Sequence, residues 1–164
     1  MSWMSIDNRK FLLFYPLFLV LLFGIFYWDE KLWNISYIGE LIDSFQRDLL
    51  MKALSLLIGE DKINGFNIIV NPHYRLIITP ACNGLVPYFI YLAGVLAYNK
   101  SILKKILWAI IGYIVIFIVN TLRIWIVYLF VLNGRENFHL SHDIIGNILL
   151  LATGLLLFKS YIKS

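Results

Sequence analysis

The chain has 164 residues, 60% of them hydrophobic and 16% aromatic, with 15% charged, a formal net charge of +4 and a single cysteine. So many uninterrupted apolar runs exclude an ordinary soluble globule and indicate one compact integral-membrane bundle. One cysteine excludes an internal disulfide and leaves a free thiol.

The first charge-free run, residues 11–28, is long enough to cross a hydrocarbon core. It is too long for a secretory signal peptide, and no small-residue cleavage site follows it. Residues 29–79 are less apolar and hold Asp29, Glu30, Glu40, Asp43, Asp48, Glu60 and Asp61. Within them, 40–58 sets Leu41, Phe45, Leu49 and Leu56 among Asp43, Arg47, Asp48 and Lys52, the pattern of an amphipathic helix lying on the membrane surface. A crossing here would bury four charges and reverse the loop charges described below. Two β-favouring runs flank a turn at Asn71 and Pro72, which predicts a β-hairpin over 66–79. The hairpin delivers the chain to Pro80 and Cys82, either as an edge for an extended peptide or as a plug over the bundle.

Three further charge-free runs follow at 82–98, 106–122 and 144–158, the last reaching crossing length with its flanks. The expected architecture is an all-α polytopic membrane protein, a single domain over 1–164. It has about four transmembrane helices, an external amphipathic helix, and the short hairpin before the second crossing. Arg9 and Lys10 precede the first run, Lys100, Lys104 and Lys105 separate the second from the third, and Lys159 and Lys163 follow the fourth. The positive-inside rule makes these flanks and both termini cytoplasmic, and the acid-rich connector external. The basic excess is thus a topology signal, and no nucleic-acid partner is implied.

Depth then singles out three side chains. Cys82 lies 18 residues from Lys100, Arg123 lies 18 from Lys105 and His142 lies 17 from Lys159, each roughly 25 to 27 Å from the basic layer at helical rise. All three reach the outer interface. Cys82 follows Pro80 and is expected in the first turn of a new helix, where free amides and the helix dipole favour a thiolate, with Asn83 and Gly84 adding a polar side chain and close backbone access. As a lone cysteine it also reads as packing. Arg123 is flanked by apolar residues, and an ionised group there costs a few kcal/mol unless it snorkels to headgroups or finds a partner. Asn120, one turn away on the same helical face, extends an inward polar strip.

His142 stands at the predicted entrance of the last helix, with Ser141 as a good N-cap and Asp143 suited to the helix dipole, so neither of those two neighbours needs a function. An imidazole in that place has the proton-transfer range of a general base, with His139 one turn earlier as a competitor. His73, in the hairpin turn, reads as solvated. Together Cys82, His142 and Arg123 supply a nucleophile, a base and a cation for an oxyanion, which points to cysteine-based acyl transfer. No serine elbow or HisGluXaaXaaHis metal motif is present. Two other readings stand beside this one: a non-catalytic accessory or lipid-binding protein, and a zinc site of Cys82, His139, His142 and Asp143.

The order CysAsnGly at residues 82–84, AsnThrLeuArg at 120–123 and HisAspIleIleGly at 142–146 resembles the exosortase and archaeosortase family of membrane transpeptidases. The resemblance covers about 63–158, in a chain like the family's compact core. It carries Cys82, Arg123 and His142 onto the family's Cys, Arg and His, with Asn120 and Gly146 in accompanying positions. It implies a bacterial or archaeal inner-membrane protease or transpeptidase without a cofactor, its active site at the outer face. Its substrates would be exported proteins ending in a sorting motif, a transmembrane helix and a basic tail. Its second partner would be an amine-bearing acceptor such as a lipid.

Overall fold

The computed structural model describes residues 6–27 and 37–164. The end of the first predicted run at Trp28, and the acids Asp29 and Glu30 of the connector, lie outside the described residues. The fold is mostly helical. Helix α1 (Ile6–Tyr27) leads to α2 (Tyr37–Ile58), then to a small sheet of β1 (Ile63–Asn64), β2 (Asn67–Asn71) and β3 (Tyr74–Ile77). Helices α3 (Leu85–Ala97), α4 (Ile102–Leu132) and α5 (Asn137–Lys163) complete the chain.

Three helices, α1, α4 and α5, are long and apolar enough to cross a membrane. Their outward faces are apolar: Leu13 and Val20 on α1, Ile110 and Ile114 on α4, and Leu151 and Leu155 on α5 are all exposed, as lipid-facing residues are. The second predicted span is shorter than expected. Gly84 adopts φ +83°, a left-handed conformation no helix interior allows, so α3 begins only at Leu85 and runs 13 residues, about 20 Å. The preceding Pro80–Cys82 forms a 3-10 turn of its own.

Helix α4 departs in the other direction. The predicted run stops at Leu122, but nothing breaks the helix after Arg123 until Gly134, at φ +151°, and α4 extends for 31 residues, about 46 Å. Its added length is not idle. Ile124, Val127, Tyr128 and Val131 form a core with Leu50, Met51 and Leu54 of α2 and with Ile68, Leu76 and Ile78 of the sheet region. A second core, Tyr91, Val95, Ile116, Leu157 and Tyr161, joins α3, α4 and α5, and a third packs Phe26 of α1 on Leu85 and Phe89 of α3.

The predicted amphipathic helix is present as α2, but it does not simply rest on a surface. Its buried face carries Asp43 and Gln46 as well as Leu50 and Leu54, while Leu41 and Phe45 face outward. The polarity is turned inward because Asp43 accepts from Asn83 Nδ2 at 2.6 Å and Gln46 Oε1 accepts from the Tyr113 hydroxyl at 2.7 Å. Buried polar atoms need such partners, and these ones dock α2 into the bundle beside α4.

The predicted hairpin is present and gains a strand. β2 and β3 pair antiparallel around a turn in which His73 N donates to Asn71 Oδ1 at 2.9 Å, and β1 adds to the far side of β2. His73 is exposed, as a solvated turn residue is.

Candidate active site

Three elements bring Cys82, Arg123 and His142 to one place. The 3-10 turn after β3 supplies Cys82, α4 supplies Arg123 two-thirds of the way along its length, and the start of α5 supplies His142. Cys82 Sγ lies 3.7 Å from His142 Nε2, and Arg123 Nη2 lies 3.2 Å from the same nitrogen. Thr79 Oγ1 is also 3.5 Å from the sulfur.

Guanidinium groups only donate, so His142 Nε2 accepts in its contact with Arg123. The ring proton then sits on Nδ1 and is donated to Asp143 Oδ1 at 2.7 Å. In that tautomer the single lone pair of Nε2 is shared between Arg123 Nη2 and the Cys82 thiol. The ring is held flat against Phe138, with centroids 4.9 Å apart and an interplanar angle of 12°.

Arg123 turns inward and is only 5% exposed, as the pairing alternative requires and the headgroup anchor does not. Nη1 donates to Asn120 Oδ1 at 3.4 Å, and Nη2 donates to Asn147 Oδ1 and to the His142 carbonyl, each at 3.4 Å. Its Nε is buried against the bare Cα of Gly146 and has no hydrogen-bond partner among the described residues. A methyl group at Gly146 would overlap Nε, so the glycine is what admits the guanidinium.

The neighbours expected to assist divide in two. Asn120 joins the site, donating from Nδ2 to Cys82 O at 3.0 Å while its Oδ1 accepts from Arg123. Gly84 packs on the Asn120 side chain with no room for a Cβ at ordinary contact distance. Asn83 faces the other way. It is 1% exposed, donates to Asp43, and accepts from Leu85 N at 2.8 Å, while its carbonyl accepts from Gln46 Nε2 at 3.1 Å.

Two local expectations are corrected. Cys82 is not in the first turn of α3, because Gly84 interrupts the chain between them, so the helix-dipole argument for its sulfur does not hold in that form. His142 is not at a helix entrance either. α5 starts at Asn137, and Ser141, far from capping, is buried with its hydroxyl donating to the carbonyls of Asn137 and Phe138. Leu140–Ile145 is π-helical, a widened turn of the kind that recurs at functional sites.

His139 is mostly exposed and lies 3.4 Å from Asp143 Oδ2, so His142 is the imidazole beside the sulfur. Asp143 thus carries a histidine on each oxygen, a role its helix-dipole explanation hid. Asn147 was also overlooked, although a lone amide in an apolar run was a legible signal. Among the described residues no three His, Cys, Asp or Glu side chains converge to hold a metal.

No curated protein and no solved structure matches the chain. The family model for transmembrane exosortases does match, over residues 1–159, reaching beyond the three motifs into α1 and α2. With apolar spans, a sheet-capped bundle and that match over nearly its whole length, the chain is a polytopic membrane protein belonging to the transmembrane exosortase family.

Proposed function

We propose that this exosortase is a cysteine transpeptidase that cleaves the C-terminal sorting signal of exported proteins and passes them to an amine-bearing acceptor. The observation that carries the reading is the contact of Cys82 Sγ and Arg123 Nη2 with one nitrogen, His142 Nε2. In a bundle where Arg123 served only as a lipid anchor, its guanidinium would reach headgroups. Here it faces the imidazole.

The chemistry follows from who holds which proton. His142 Nε2 takes the thiol proton as Cys82 Sγ bonds to the scissile carbonyl carbon. The protonated Nε2 can no longer accept from Arg123, so Nη2 is freed at the moment the carbonyl oxygen becomes an oxyanion needing a donor. Three main-chain donors nearby are already used: Cys82 N donates to Thr79 O, Asn83 N to Pro80 O, and Leu85 N to Asn83 Oδ1. Arg123, in contact with the same nitrogen as the sulfur, supplies a charged donor. When the C–N bond breaks, His142 returns the proton to the leaving amine, and a thioester remains on Cys82. The acceptor amine then forms the new C–N bond, the C–S bond breaks, and the proton it loses passes through Nε2 to the sulfur. Water in place of the amine would make the protein a protease. Asp143 accepts from Nδ1 and so fixes the tautomer and orientation of the ring, without touching the reacting atoms.

In the membrane, α3 with its flanking turns would form a fourth, short crossing beside α1, α4 and α5. Both termini would be cytoplasmic, with the site at the outer face of a bacterial or archaeal inner membrane. The test joins topology to chemistry, because Cys82 is the only thiol in the chain. A membrane-impermeant maleimide applied to intact spheroplasts is expected to modify Cys82 and stop substrate processing, while chelators leave processing unchanged. Labelling only after the inner face is exposed would invert the topology, and undiminished processing by fully labelled protein would remove the sulfur from the mechanism.

The glycine beside Arg123 gives a second expectation. Gly146→Ala should raise helix propensity by up to about 1 kcal/mol, yet it drives a methyl group into Nε and displaces the guanidinium. Processing should fall on the order of 10²-fold. Gly154→Ala on the same helix meets open space and should leave the rate alone. Equal rates for both variants would show that the fit around Arg123 is not needed.

A further inference from the structure

The sheet order β1-β2-β3 leaves β3 at an edge, and from its end the chain needs only a few residues to reach Cys82. Main-chain groups alternate sides along a strand. Ile78 turns toward β2, donating its amide to Phe66 O at 2.9 Å, and Leu76 is paired with Ile68 two residues earlier. The N–H and C=O groups of Arg75 and Ile77 therefore project from the free edge. The ladder's irregularity lies between Ile69 and Asn71, beyond this stretch.

Beside that edge runs a groove. Residues 74–78 line it from both faces of the strand, so what they share with it is the edge itself. Phe138 and His142 also line it, with Ile124 and Val127 of α4, and Cys82 opens into the same space. Its volume is about 130 Å³, well under the roughly 300 to 1,000 Å³ of a small-molecule site. That is room for part of a chain.

We infer that this groove is the peptide subsite of the transpeptidase: the substrate enters as an extended strand added to β3, with its scissile carbonyl at Cys82. The inference rests on the transpeptidase reading above. An extended polypeptide is the occupant because alternating donors and acceptors on a strand edge are matched by another main chain, and because the groove opens onto a sulfur that reacts with a peptide carbonyl. One substrate side chain facing inward meets Leu76, Ile124, Val127 and Phe138, so an apolar residue is selected there. Direction follows as well. β3 runs toward Cys82, and a substrate with its folded body outside and its C-terminal helix in the membrane runs the same way, so the added strand is parallel to β3.

The test uses full-length protein in native membranes. The probe is a synthetic peptide of the segment preceding the C-terminal helix of the membrane protein that accumulates uncut in Cys82→Ala cells. It should inhibit processing, and N-methylation of its amides one at a time should weaken inhibition in alternation, roughly tenfold at every second residue and little between them. A flat response, or no inhibition by the parent peptide, overturns the strand. Ile77→Pro removes an edge amide while sparing the bonds to β2, and should slow processing about tenfold at an unchanged melting temperature. A wild-type rate also overturns the proposal, and if this variant melts early the methylation pattern alone decides. Normal processing in Cys82→Ala membranes would reject the transpeptidase reading and the strand with it. Loss of processing in Cys82→Ala together with a flat methylation pattern would reject the strand alone.

Discussion

Cys82→Ala is expected to abolish processing, by on the order of 10⁴-fold or more, while the protein remains folded. Loss on that scale is what removing a covalent nucleophile does when the rest of the machinery acts only through it. The fold has little stake in the sulfur. Its polar contacts are Thr79 Oγ1 at 3.5 Å and His142 Nε2 at 3.7 Å, and otherwise it packs, half-buried, at the margin of the first core, where alanine keeps the Cβ. What the local structure uses is the Cys82 main chain, whose carbonyl accepts from Asn120 and whose amide donates to Thr79 O, and alanine keeps both. The stability change should therefore stay within about 1 kcal/mol. Uncut substrate should collect in the membrane at matched abundance of the variant. Processing at the wild-type rate would reject Cys82 as nucleophile and return the protein to the accessory class.

The second large effect is expected at Arg123, where lysine and alanine ask different questions. The guanidinium works as a plane: Nη1 bonds to Asn120 on its own helix, and Nη2 reaches Asn147 and two atoms of His142 on α5. A lysine ammonium keeps the charge but lacks the fork that spans both helices. Arg123→Lys should lose on the order of 10²-fold or more in processing rate, and Arg123→Ala at least as much. Alanine also leaves the buried amide oxygen of Asn120 short of a donor, at about 1 to 3 kcal/mol. Rates are compared in isolated membranes at equal abundance. Near-complete activity with lysine and none with alanine would mean that charge suffices and directed hydrogen bonding plays no part.

What the sequence made legible was the convergence. Cys82, Arg123 and His142 could be set at one depth because spans, lysines and helical rise are local quantities, and the contacts among them agree with that placement. The sheet was legible for the same reason, since Asn71 and Pro72 mark its turn. The helix boundaries were not. α4 runs past Leu122 because its extra turns bury apolar residues against the sheet, a tertiary gain that no span-length rule contains. α3 starts late because Gly84 takes a left-handed backbone. The π-helical turn carrying His142 has no signature in its residues, and with it went the capping assignment of Ser141. The bond of Asp143 to the His142 ring is hidden for the same reason, since a carboxylate near an expected helix start is already explained by the dipole. The α2 contacts of Asn83 join positions some forty residues apart, beyond any local pattern.

Those α2 contacts bear on how defective variants of this protein would be mapped. Asn83 follows Cys82 directly in the chain, yet its side chain and carbonyl are both fastened to α2, through Asp43 and Gln46. Gln46 is fastened in turn to Tyr113 on α4, and Asp43 to Arg47. A genetic screen for lost processing would accordingly return two clusters. One would fall on the reacting residues, and the other on α2, in a segment with no thiol, no imidazole and no opening to the substrate. The second cluster would look like a separate recognition site. It would instead be the far end of the bracket that sets where one sulfur points.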